Sequence, residues 1–125
     1  MGHQPQSKFV AVVDDDDSVR TAIQGLLKSV GLSARAYASG EEFLDSGVQH
    51  LSACLIADIR MPGMSGLELQ AKLNAECCLI PTIFITAHGD QEMRLQAMRA
   101  GAVEFLSKPF DDDLLIDSVR AALKR

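Results

Sequence analysis

Five short apolar stretches alternate with segments of helical period along this chain. Phe9-Val10-Ala11-Val12-Val13 runs directly into four aspartates, Asp14 to Asp17. Ala53-Cys54-Leu55-Ile56-Ala57 stops at Asp58, and Thr82-Ile83-Phe84-Ile85 stops at Thr86. Ser33 to Ala38 alternates loosely as a second strand, and Ala102 to Leu106 reads as the fifth. Continuous apolar runs of this length suit strands buried on both faces, the signature of a parallel sheet. Between them, Val19, Ile23, Leu26, Leu27 and Val30 share one helical face that Gly31 terminates. Ser39 with Glu42 and Ser65 with Glu68 have capping-box spacing, and Ile59 to Gly66, with Pro62 inside it, reads as a loop. Asp90 to Ala100 reads as a helix closed by Gly101, and the last helix runs from Asp111 to Leu123 with Leu115, Val119, Ala122 and Leu123 inward. Right-handed crossovers then predict an α/β fold, a doubly wound five-stranded parallel sheet with helices on both faces.

With 125 residues the chain has room for one domain and a real core. Hydrophobic residues at 47% and charged residues at 23% fit a soluble globular protein, and the net charge of −5 argues against a nucleic-acid-binding surface. No apolar stretch is long enough to span a bilayer, and no secretory leader is evident. Residues 1–7 are polar, contain Pro5, and read as a disordered lead-in or an expression remnant; the domain is expected over 8–125. Three cysteines without a CxxC spacing make neither a disulfide framework nor a zinc site. Cys54 reads as core, while the adjacent Cys77 and Cys78 admit redox sensing but more simply act as small hydrophobes. A reducing compartment, hence the cytoplasm, is expected.

In open α/β sheets ligands bind beyond the carboxyl ends of the strands. That rule gathers Asp14, Asp15, Asp58, Thr86 and Lys108 at one edge. An acidic helix start alone needs no function, since the macrodipole favours it. A further carboxylate from another strand changes the balance, because clustered like charges are costly unless protons or a cation compensate them. Oxygen ligands favour a hard cation, Mg²⁺ or Mn²⁺. Lys108 is a point charge suited to a phosphoryl oxygen, held in a turn by Pro109, whose peptide bond admits the cis form. Thr86 supplies a hydroxyl. Together these groups meet the needs of phosphoryl transfer: a nucleophilic oxygen and neutralised charge on the transferring group. Asp58, alone at its strand end, is the expected nucleophile, with Asp14 and Asp15 on the metal.

Val12-Val13-Asp14-Asp15-Asp16, Ile56-Ala57-Asp58-Ile59-Arg60-Met61-Pro62-Gly63-Met64-Ser65-Gly66, Ile85-Thr86-Ala87 and Lys108-Pro109-Phe110 together resemble the response-regulator receiver domains, of flavodoxin-like receiver fold. The match runs over essentially the whole chain after Ser7. Arg60-Met61-Pro62, Thr86-Ala87-His88-Gly89-Asp90 and Gly101-Ala102-Val103-Glu104-Phe105 are similar to the FixJ-type branch, whose members usually regulate transcription. The resemblance implies that Asp58 accepts phosphate from a histidine kinase or phosphotransfer protein. It implies a metal held by Asp15, Asp58 and the Arg60 backbone carbonyl, with Asp14 acting partly through water. It further implies that Lys108 contacts the phosphoryl group, and that Thr86 moves to bond it as Phe105 swings inward. Many members carry Tyr where Phe105 stands, so the hydroxyl is missing here. A homodimer through the 90–123 face is likewise implied; Arg94 and Arg99 against Asp112, Asp113 and Arg120 offer charge pairs there, the plainer alternative for each being a solvated face.

Arg60 and His88, each two residues past a site residue, are expected to flank the entrance to the phosphoryl group and tune its lifetime; the plainer alternative is two exposed loop residues. The domain is expected to be a signalling phosphoacceptor rather than an enzyme, without membrane contact. DNA would be reached only through an effector domain absent from this chain. Two rivals remain. Asp14 and Asp16 form a DxD pair similar to haloacid-dehalogenase-type phosphohydrolases, with Asp14 as nucleophile, but that reading leaves Asp58 idle. A non-phosphorylated interaction module would gain nothing from clustered charge.

Overall fold

Alternation along each strand decides which helices cover which face of the sheet. The computed structural model describes residues 8–87 and 91–124. In chain order they form β1 (Phe9–Val13), α1 (Asp17–Ser29), β2 (Ala34–Tyr37), α2 (Gly40–Asp45), a short 3-10 turn (Gln49–Leu51), β3 (Ser52–Asp58), α3 (Gly66–Ala75), β4 (Thr82–Thr86), α4 (Gln91–Arg99), β5 (Glu104–Ser107) and α5 (Asp112–Leu123). The five strands are all parallel, in the order β2-β1-β3-β4-β5. One face carries Ala11, Val13, Leu55, Ala57, Phe84 and Phe105 against Phe43 of α2, Leu69 and Leu73 of α3, and Ala97 of α4. The other carries Val10, Val12, Cys54, Ile56, Ile83, Ile85 and Leu106 against Ile23 and Leu27 of α1 and Leu115, Ile116, Val119 and Ala122 of α5. The doubly wound sandwich expected from the alternation is the fold observed. No helix of the described residues is long and apolar enough to cross a membrane.

Local chemistry sets the element ends. Asp16 caps α1 by accepting from the amides of Ser18 (2.8 Å) and Val19 (3.4 Å). Gly31, at φ 80°, is the left-handed residue that closes the helix. Ser65 and Glu68 form the full capping box of α3. Ser39 accepts from Glu42 as expected, but Glu42 reaches the Ala38 amide instead of closing the box on Ser39. Cys77, at φ 57°, takes at the end of α3 the left-handed place that Gly31 and Gly101 take after α1 and α4.

Two expectations shift. The fifth strand starts at Glu104 rather than Ala102, because the Ala102 amide is spent on the Ala97 carbonyl (3.0 Å) to finish the turn after α4. Leu123 is 36% exposed, at the last helical position, while Ile116 takes the inward place at 7%. The start of the fourth helix at Asp90 lies outside the described residues.

Candidate functional site at the carboxyl edge of the sheet

Strand register delivers the site. Val13 pairs with Ala57, so Asp14 leaves β1 beside Asp58 at the end of β3. Asp58 pairs with Ile85 and Thr86 with Ser107, which brings Thr86 and then Lys108 to the same edge. The edge is also the point where strand order reverses between β1 and β3.

Lys108 joins the two buried acids. Its Nζ donates to Asp14 Oδ2 at 2.9 Å and to Asp58 Oδ2 at 3.0 Å. The other oxygens are held by backbone: Asp14 Oδ1 accepts from the Asp16 amide at 2.9 Å, and Asp58 Oδ1 from the Arg60 amide at 3.2 Å. The Lys108–Pro109 peptide bond is cis. Burial raises the Asp14 carboxyl above its ordinary value, with the Asp16 amide and Lys108 pulling the other way. For Lys108, burial lowers the affinity for its proton, but the hydrogen bonds and charges of Asp14 and Asp58 outweigh this and the ammonium is held above its ordinary range.

Asp14, Asp15 and Asp58 each offer an oxygen, all within 4.8 Å of one another, with Asp15 exposed at the mouth. A lone ammonium against this many carboxylates leaves uncompensated negative charge, and an all-oxygen donor set suits a hard divalent cation. The residues present therefore fit Mg²⁺ or Mn²⁺. Thr86 is 1% exposed. Its Oγ1 is a buried side-chain oxygen with no hydrogen-bond partner among the described residues. A hydroxyl so placed has bonding capacity in reserve.

The other expected residues scatter. Phe105 is 7% exposed and lies in the core face, inward already. Arg60 is exposed, its guanidinium 3.9 Å from Met93 Sδ. His88 lies outside the described residues. The acidic run divides its labour: Asp14 and Asp15 face Asp58, Asp16 caps α1, and Asp17 pairs with Arg20.

Two contributors escaped the sequence reading. Gly66 lies under the Asp58 backbone, where an added Cβ would sit 3.0 Å from the Asp58 carbonyl carbon; the glycine had registered only as a loop former. Arg20 Nη1 donates to the Asp14 carbonyl at 2.7 Å and Nη2 to Asp17 Oδ1 at 3.0 Å. Its clue was the backward tilt of helical side chains toward the N-terminus, which places a first-turn Arg over the preceding strand end.

Residues 10–120 match the response regulator receiver domain model, and the chain belongs to that family. Among its members the chain falls in the FixJ-type branch. It is 47% identical over 121 residues to the transcriptional regulatory protein FixJ of Azorhizobium caulinodans, covering 97% of this chain and 57% of that protein. Nodulation protein W of Bradyrhizobium diazoefficiens is 47% identical over 126 residues, covering 99% and 56%. The chain thus spans little more than half the length of these curated relatives. The crystal structure of FixJ-N superposes with a TM-score of 0.85 at 37% identity over 97% of both chains. A receiver protein from Burkholderia phymatum gives 0.81 at 48% identity, over 94% of this chain and 96% of the other.

Proposed function

We propose that residues 8–125 are a phospho-accepting receiver unit in which Asp58 takes a phosphoryl group from a histidine kinase or phosphotransfer protein. The observation that carries this is the convergence of Asp14, Asp15 and Asp58 around Lys108, beside the Thr86 hydroxyl, which has no hydrogen-bond partner among the described residues. Asp58 attacks phosphorus through a carboxylate oxygen. One P–O bond forms to Asp58 as the donor's bond to phosphorus breaks, and the electron pair leaves with the donor. Lys108 transfers its hydrogen bond from Asp58 to the phosphoryl oxygens, and Thr86 turns its free hydroxyl to the same group. Asp14, Asp15, Asp58 and the Arg60 carbonyl would hold a divalent cation, which supplies charge neutralisation on the transferring group. Asp16, committed to the α1 cap, weighs against a DxD phosphohydrolase.

The modification adds about −1.5 to −2 charge and three acceptor oxygens. Thr86 and Phe105 carry the change to the 90–123 face, where a phosphorylation-dependent homodimer forms. Receiver domains are signalling proteins, and relatives named as transcriptional regulators support control of transcription through an effector region. A cytoplasmic location follows from that role. The side chains of Arg60 and His88 set the lifetime of the phosphoryl group.

Intact-mass spectrometry after incubation with Mg²⁺ and acetyl phosphate tests the reading. One phosphoryl adduct is expected on the wild type, dependent on Mg²⁺ and missing from Asp58→Asn; its decay should change in Arg60→Ala and His88→Ala. An adduct that persists in Asp58→Asn would move the nucleophile to Asp14 and overturn the assignment.

A further inference from the structure

The β1–α1 loop that presents Asp14 and Asp15 has a fastening of its own. Arg20 is the fourth residue after the Asp16 cap, and its side chain folds back over the first turn of α1. One arm of the guanidinium meets the Asp14 carbonyl at 2.7 Å; the other meets Asp17 Oδ1 at 3.0 Å. The Arg20 side chain is 19% exposed and the Asp17 side chain 88%, so the ion pair is solvated and weak while the carbonyl bond is sheltered. The fork therefore spans the loop from the strand end to the first helical residue; Asp14 is one of its points of attachment, and Asp15 lies between them.

From this we infer that Arg20 is a positioning residue: it holds the β1–α1 loop so that Asp14 and Asp15 stay within ligand distance of Asp58. The inference rests on the divalent-cation reading given above. A planar fork fixes the direction of both bonds, which a Lys ammonium does not. Groups that orient the ligands of a metal site typically contribute 10–100-fold to affinity. Charge alone works in the opposite sense, because a cation beside the acids repels a second one. Geometry and charge thus make opposite predictions for a neutral substitution.

The test is Mn²⁺ binding to the unphosphorylated domain, read from the electron paramagnetic resonance of free Mn²⁺. Wild type is compared with Arg20→Lys, Arg20→Gln and Asp58→Ala, and urea midpoints are taken in chelator. Both Arg20 variants should weaken binding about tenfold, with Arg20→Lys keeping the wild-type urea midpoint. Arg20→Gln binding as tightly as wild type or tighter overturns the inference, since charge would then be the whole effect. Full affinity in Arg20→Lys overturns it too, because a positive charge without the fork would suffice. A wild type that binds no Mn²⁺ overturns the cation reading and the inference together; a wild type that binds, and loses binding in Asp58→Ala, leaves that reading standing whatever the Arg20 variants do.

Discussion

Asp14 is fully buried, and burial raises its carboxyl above 3.8 despite Lys108 beside it. A carboxylate whose folded pKa is raised opposes folding at neutral pH. The cost is fully present above the folded pKa and is relieved as pH falls through that value toward 3.8. Asp14→Asn keeps an oxygen for Lys108 and removes the buried charge at the loss of the Asp16 amide bond, while Asp58 still pairs with Lys108. In chelator the variant should therefore be about 1 kcal/mol more stable than wild type in urea unfolding at neutral pH. The gap should narrow on acidification, and metal binding should fall. A less stable Asp14→Asn would mean that the Lys108 pair outweighs desolvation. At this scale the sequence was informative where a residue ends a strand, because strand ends have a known destination. It was silent on Gly66, whose role depends on the backbone lying across from it, and for Arg20 it offered only the backward tilt of a first-turn side chain.

Among the elements, β1, β3 and β4 were readable because burial on both faces makes them uniformly apolar. The edge strands were blurred: β2 is only half-buried, and the start of β5 is consumed by the turn after α4. The fourth helix was legible from its Gly101 terminator rather than from an apolar stripe, since of its described residues only Ala97 is buried. Polar ties do the holding instead. Gln70 Nε2 donates to the Ala97 carbonyl at 3.3 Å and Asn74 Nδ2 to the Ala100 carbonyl at 2.9 Å, both from α3. Arg94 Nη1 reaches the Phe105 carbonyl at 3.3 Å. An element with few buried apolar contacts opens below the global unfolding free energy. Hydrogen exchange by mass spectrometry should find α4 exchanging well ahead of α1 and α5. Gln70→Ala with Asn74→Ala should speed α4 further, by about five- to thirty-fold for the loss of roughly 1–2 kcal/mol, and leave α1 and α5 unchanged. Equal acceleration in all helices would show that the amides support the whole fold rather than one end of α4.

The whole molecule is a central sheet with a core on each face, and Cys54 sits inside one of them, on β3 between β1 and β4. It is fully buried, and burial pushes its thiol up to about 12. Reaching that sulfur requires lifting α1 and α5 from their face of the sheet, which removes the whole core on that face. Cys77 is exposed at the end of α3, and Cys78 is half-buried with its thiol pushed up by burial and then by Glu76. A thiol reagent should thus modify Cys77 in the native protein at a rate indifferent to low urea. Cys54 should react only through global unfolding, with the full urea dependence of that transition. The two scales then connect: if Asp14→Asn adds about 1 kcal/mol, labelling of Cys54 should slow about fivefold while labelling of Cys77 stays the same. A Cys54 rate with a shallow urea slope, untouched by Asp14→Asn, would mean that β3 is exposed by a partial opening and that the two cores do not unfold as one unit.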